Sequence, residues 1–145
     1  MKAFPDFSLS DQDGKTWTKA DLLGRPAVIY FYPKDDTPGC TQESCDFRDQ
    51  KLPVPVLGVS PDPVTSKAKF AKKFDLPFPL LADTEKQLCE ALGLWVEKSM
   101  YGKKYMGVDS STFLLDAEGH IVREWRSVKV PGHVEEVAKA VADLS

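Results

Sequence analysis

Apolar residues fall in short runs separated by Pro, Gly and Asp, and the period of those runs changes along the chain. Residues 27–32, Ala-Val-Ile-Tyr-Phe-Tyr, show no polar alternation, the pattern of a central strand covered on both faces. Asp13-Gly14 separates short runs around 7–9 and 16–18, which predicts an N-terminal β-hairpin. Residues 33–40 are a loop by composition, and 41–51, free of Pro and Gly, continue as a helix. A second buried strand is expected over 54–59. Over 63–74, Phe70 and Phe74 recur at i, i+4 among lysines, as in an amphipathic helix. A short strand near Leu80 and Leu81 precedes a helix over 84–92 that Gly93 ends. Residues 98–107 carry no clean period and read as a surface loop. Residues 112–116 and 121–125 flank Ala-Glu-Gly-His as a second hairpin, and Val134, Val137, Val141 and Leu144 share one face of a last helix. The sum is an α/β fold, a central mixed β-sheet flanked by helices on both sides.

No repeat, low-complexity tract or flexible linker divides the 145 residues, so a single domain over 1–145 is expected. A chain of this size buries about 68–70% of its unfolded surface and needs no disulfide to hold a core. Its 19 basic and 22 acidic residues are interspersed, which argues against a basic face for nucleic acid. The run 27–32 falls far short of the roughly 18 apolar residues of a membrane span, and Met1-Lys2 opens no apolar leader. The expectation is a soluble, unexported, cytoplasmic protein. Three cysteines are too few for a secreted disulfide framework, and two of them, Cys40 and Cys45, are close together.

Cys40 follows a buried strand and a Pro/Gly loop and opens a helix, where backbone N–H groups and the helix dipole favour negative charge. That placement is one way to lower a thiol from its usual value near about 8.5. Cys40 is therefore a candidate nucleophile, although small buried cysteines also occupy such turns. Thr37, three residues upstream, is placed to hydrogen-bond the sulfur or an incoming oxygen, and Pro33 to shield the loop from water. Cys45 offers a second thiol on the same helix, able to condense with an oxidised Cys40. Five residues of α-helix rise about 7.5 Å and turn the two side chains apart, whereas a disulfide needs Cα atoms within about 7 Å. A Cys40–Cys45 disulfide therefore implies unwinding of the helix.

The segment Pro33-x-x-x-Thr37-x-x-Cys40 resembles the active-site signature of the peroxiredoxins, thiol peroxidases with a thioredoxin-like fold. Cys-Thr-Gln-Glu at 40–43 with Cys45 is similar to the PrxQ or bacterioferritin-comigratory-protein branch. The likeness extends to Phe4-Pro-Asp-Phe7, Val28-Ile-Tyr-Phe-Tyr-Pro33, Leu57-Gly-Val-Ser60, Met100-Tyr-Gly-Lys103, Ser111-Thr-Phe-Leu-Leu-Asp116 and Gly132-His133. The resemblance implies Cys40 as peroxidatic cysteine, Cys45 as resolving cysteine, and Thr37 and Pro33 as pocket residues. The backbone around Gly39 and Cys40 would bind the developing charge. It implies reduction of hydrogen peroxide and organic hydroperoxides without metal or organic cofactor, recycling by thioredoxin or a similar dithiol, and a monomer.

Two departures stand out. Where the family has an arginine before the Ser-Thr-Phe-Leu-Leu-Asp strand, this chain has Ser110, with Arg126 and Arg48 as substitute cations. Some relatives carry the resolving cysteine in the helix after the second strand, where this chain has Phe70-Ala71. Cys89 reads as core packing, with a backup resolving role as the alternative. His120 and His133 are not placed beside Cys40, no zinc-ligand spacing is complete, and Lys67, Lys69, Lys72 and Lys73 read as a solvated helix face. Two other functions compete: a thiol-disulfide oxidoreductase, against which the gap between Cys40 and Cys45 argues, and a redox-sensing interaction protein with little turnover.

Overall fold

The structure, a computed structural model, describes residues 2–144. Its strands and helices follow in the order β1 (Lys2–Ala3), β2 (Ser8–Ser10), β3 (Thr16–Thr18), β4 (Ala27–Phe31), α1 (Pro38–Gln50), β5 (Val56–Ser60), α2 (Val64–Phe74) and β6 (Leu80–Ala82). They continue as α3 (Gln87–Ala91), β7 (Trp95–Met100), β8 (Lys103–Val108), β9 (Ser111–Leu115), β10 (His120–Trp125) and α4 (His133–Ala142). The main sheet has the order β1-β10-β9-β4-β5-β6. Strands β4, β5 and β6 run parallel, while β9 pairs antiparallel with both β4 and β10. The sheet is mixed, and the thioredoxin-like architecture expected from the resemblance is present. The N-terminal hairpin forms from β2 and β3, pairing Leu9 with Trp17.

Period-two alternation along β4 builds two cores. Val28, Tyr30 and Tyr32 point to one face, where Cys40 and Phe47 of α1, Phe70 of α2 and Val137 of α4 pack. Ile29 and Phe31 point to the other, against Phe4, Leu88, Cys89 and Phe113. Burial on both faces explains why 27–32 shows no alternation. The central strand thereby fixes where α1 begins.

Three expectations need correction. Residues 98–107 belong to a regular hairpin, β7 and β8, turning at Tyr101 and Gly102, which both have positive φ. None of residues 98–107 is buried, so no apolar period marks them; only the base of the hairpin, at Trp95 and Val108, packs on the core. Helix α1 starts at Pro38 rather than 41, because proline at the first helical position has a φ already suited to the helix. Lys67 is not on a solvated face: it is fully buried, whereas Lys69, Lys72 and Lys73 are exposed. Lys67 lies one helical turn before Phe70 and shares its inward side.

Gly58 of β5 allows the Tyr30 ring to lie across the sheet. A Cβ there would stand 2.9 Å from Leu80 Cδ2 and from Tyr30 Cζ and Oη. Gly58→Ala is expected to destabilise the fold by about 1–3 kcal/mol in urea denaturation, since a filled core yields little to an added methyl.

Candidate active site

β4 ends at the C-terminal end of the parallel strands, and the chain turns back into α1 through a loop in which Asp36 adopts a left-handed conformation (φ 58°). Asp tolerates that region better than most residues. Cys40 is the third residue of α1 and is 8% exposed, so reactants can reach it although most of the side chain is covered. Two contacts seat the helix on the strand: Tyr30 Oη and Ser44 Oγ are 2.7 Å apart in a hydrogen bond, and Phe47 stacks on Tyr30 at 4.7 Å between centroids.

Burial pushes the Cys40 thiol up, against the thiolate bias expected from its helix position. Hydrogen bonds from the Thr37 side chain and the Lys34 backbone act downward, as does the charge of Lys98, while Glu43 acts upward. Thr37 Oγ1 donates to the Lys34 carbonyl at 3.0 Å and makes no cap bond to the first-turn amides. The first turn of a helix has N–H groups without intrahelical acceptors, and here they include those of Gly39 and Cys40. The structure thus gathers Pro33, Thr37, Gly39 and Cys40 at one loop-to-helix junction.

Neither substitute arginine serves the sulfur. Arg48 donates to the Phe74 carbonyl at 2.6 Å and pairs with Asp49. Arg126 donates to the Leu92 carbonyl at 2.8 Å, pairs with Glu124, and lies over Phe113, which belongs to the core on the sheet face opposite Cys40. Lys98 of β7 is the cation whose charge lowers the Cys40 thiol.

Cys45 is partly exposed on the intact α1, and all three cysteines are free thiols. Cys89 is fully buried, and its N–H donates to Asp83 at 2.9 Å. Burial drives its thiol far up, and it lies in the core across the sheet from Cys40. This is the core-packing arrangement, and a route to Cys40 would have to cross the sheet. At the tip between β9 and β10, the ligand atoms of Asp116, Glu118 and His120 lie within 4.8 Å of one another. The Asp116 carboxylate already accepts from the N–H groups of Glu118 and His120, as a turn-forming aspartate does.

Sequence reasoning missed two buried polar groups. Glu43, one turn after Cys40, is 2% exposed, with its Oε2 3.8 Å from His133 Nε2, which in turn is hydrogen-bonded to Thr112 at 2.8 Å. Burial, helped by Asp46, raises the Glu43 carboxyl to about 8, and burial also pushes His133 down. Lys67 places its ammonium among Asp35, Tyr32 and Ser60, behind the loop that holds Pro33 and Thr37. The only sequence signal was spacing: Glu43 lies at i+3 from Cys40, and Lys67 at i−3 from Phe70.

The Glu43 environment predicts a pH dependence of stability. Folded Glu43 titrates at about 8, whereas an unfolded glutamate titrates near about 4.3. The folded state therefore holds the extra proton, and stability is lost as pH rises from about 4 through 8. Glu43→Gln should remove this loss, stabilising the protein against the parent by on the order of a few kcal/mol at pH 8 but little at pH 4. Urea denaturation at both pH values measures it.

Comparison with known proteins agrees with this geometry. The AhpC/TSA family pattern matches residues 1–124. Peroxiredoxin Bcp of Bacillus subtilis is 47% identical, with 97% of this chain and 93% of that protein covered. Peroxiredoxin Bcp of Escherichia coli is 43% identical, covering 89% of this chain and 86% of its own. A cysteine-to-serine mutant of Xanthomonas campestris peroxiredoxin Q superposes with a TM-score of 0.89 at 43% identity, covering 96% of this chain and 92% of the other. A second structure, of Xanthomonas campestris bacterioferritin comigratory protein, comes from trapped intermediate and ligand complexes and gives 0.88 at 43% identity over 94% and 90% of the two chains. With the Pro33, Thr37 and Cys40 segment folded at the strand-to-helix junction, this chain belongs to the AhpC/TSA family, among the peroxiredoxins of the Bcp or PrxQ type.

Proposed function

We propose that this peroxiredoxin reduces hydrogen peroxide and organic hydroperoxides at Cys40, with Cys45 as the resolving thiol and thioredoxin or a similar dithiol as final reductant. The observation that carries the reading is the largely buried Cys40 at the first turn of α1, with the Thr37 hydroxyl acting to lower its thiol and the open amides of that turn beside it. The Xanthomonas campestris bacterioferritin comigratory protein is described for alkyl peroxide reduction activity, which supports the substrate class.

Cys40 thiolate attacks one peroxide oxygen, the O–O bond breaks, and the leaving alkoxide or hydroxide takes a proton, leaving a sulfenic acid. The Thr37 hydroxyl has one proton, held on the Lys34 carbonyl at rest. Rotation toward the sulfur or the peroxide lets it stabilise the charge that develops there. The Cys45 thiol then condenses with the sulfenic acid, releasing water and forming the disulfide, and the dithiol returns both cysteines to thiols. Helix α1 is continuous across both cysteines, so condensation requires it to open. No metal or organic cofactor takes part. The reading places the chemistry on a single domain over 1–145, acting as a cytoplasmic monomer; among the described residues no helix is long and apolar enough to cross a membrane. Burial of Cys40 and the serine at 110 favour, as a second reading, a redox sensor of low turnover.

Stopped-flow mixing of reduced protein with hydrogen peroxide should consume about one peroxide per chain and leave a Cys40–Cys45 disulfide that thioredoxin reopens. Cys40→Ser should abolish consumption, and Thr37→Val should slow the first step by about 100-fold or more, the scale of removing one charge-stabilising donor. Consumption that persists without Cys40 would overturn the proposal, and a stable disulfide without turnover would favour the sensor.

A further inference from the structure

Lys67 has no exposed surface and no place in the scheme above, yet it lies behind the loop that shapes the Cys40 pocket. Its ammonium donates to Asp35 Oδ1 at 3.0 Å, to Tyr32 Oη at 3.0 Å and to Ser60 Oγ. Those three acceptors use all three of its protons. The protons of its hydroxyl partners run onward without conflict: Tyr32 Oη donates to Asp35 Oδ1 at 2.6 Å and Ser60 Oγ to Asp62 Oδ2 at 2.6 Å. Asp62 accepts the Asp35 backbone N–H at 2.8 Å, and Ser66 Oγ donates to Asp35 Oδ2 at 2.7 Å. Burial pushes the Lys67 ammonium down from its usual value, while Asp35 and Asp62 act to hold it up, and a neutral amine would leave one of the three acceptors without a proton. Asp35 stands midway between Pro33 and Thr37, and its bonds to Lys67, Ser66 and Asp62 therefore fix the pocket loop against α2 and the end of β5.

We propose that Lys67 is a positioning residue, holding the Pro33 to Thr37 loop around Cys40 through Asp35 and placing a buried positive charge behind the sulfur in a chain with serine at 110. The inference rests on the peroxidase reading and names a residue that sets the reactivity of its thiol. Cys40 and Lys67 interact electrostatically. The other groups acting on Cys40 are Thr37 and the Lys34 backbone in the loop, Glu43 on α1, Lys98 on β7 and Tyr30 on β4. Those acting on Lys67 are Asp35, Asp62 and Cys89, besides the Tyr32 ring 4.7 Å from Nζ. The charge of an ionised Glu43 on α1 opposes the thiolate; Lys67 and Lys98 favour it.

The test titrates the Cys40 thiolate by its ultraviolet absorbance in a Cys45→Ser background, comparing the parent with Lys67→Met and Lys67→Arg. Lys67→Met should raise the Cys40 midpoint by about one pH unit, a tenfold loss of thiolate at neutral pH, and slow peroxide reduction by about the same factor. The rate should recover above the new midpoint. Lys67→Arg, which keeps the charge, should restore at least half of the shift. Unchanged titration in Lys67→Met with lowered thermal stability would overturn the proposal and leave Lys67 a packing residue. If Lys67→Met does not fold, Tyr32→Phe removes one of the three acceptors and should raise the midpoint by a smaller amount; no change there would also overturn it. The titration needs no peroxide. A parent chain that titrates as described but consumes none would therefore overturn the peroxidase reading separately.

Discussion

The seat of α1 on β4 is the contact on which the site depends. Tyr30 reaches across the space above Gly58 to hydrogen-bond Ser44, and its ring stacks on Phe47. Burying a side chain of this size contributes about 1.5–3 kcal/mol and the hydrogen bond about 1 kcal/mol, so the helix is held firmly but not permanently. This contact sets Cys40 beyond the C-terminal end of β4, beside the Pro33 to Thr37 loop. It also keeps Cys45 pointing away. On the proposed mechanism the same helix is closed for attack on peroxide and open for a Cys40–Cys45 disulfide, and a seat worth a few kcal/mol suits an element that moves between two states.

Covering Cys40 with that helix has an electrostatic cost. Burial raises the thiol, and a nucleophile must be ionised to react. Arg48 and Arg126 are committed to carbonyls and carboxylates of their own. Compensation comes instead from Thr37, the Lys34 backbone and Lys98. Behind the loop, the ammonium of Lys67 stands among Asp35, Tyr32 and Ser60. Glu43 opposes the thiolate when it is ionised, and burial raises its own carboxyl to about 8. The pocket is thus tuned by buried groups on α1 and α2 as well as by the residues that line it.

How much of this was legible in the sequence varies with burial. The central strand stood out because every position from 27 to 32 is buried, and the loop with Pro33, Thr37 and Cys40 because Pro and Gly punctuate it. The β7–β8 hairpin did not, because with both faces largely exposed no alternation is imposed on it. Lys67 was hidden among three solvated lysines, and only its spacing to Phe70 marked the inward side. Its partners, Asp35 and Ser60, come from other elements, and no local pattern announces a network that the fold assembles across more than 30 positions of chain. Glu43 shows the same limit: its meeting with His133 depends on α1 and α4 lying on the same face of the sheet.

Opening of α1 on oxidation is the central claim, and amide hydrogen exchange of residues 38–50 in the reduced and the peroxide-oxidised protein tests it most directly. Strong protection in the reduced state and its loss across this segment once the Cys40–Cys45 disulfide has formed would bear the account out, with β4 and β5 protected in both states. Equal protection of 38–50 in both states, with that disulfide present, would contradict it.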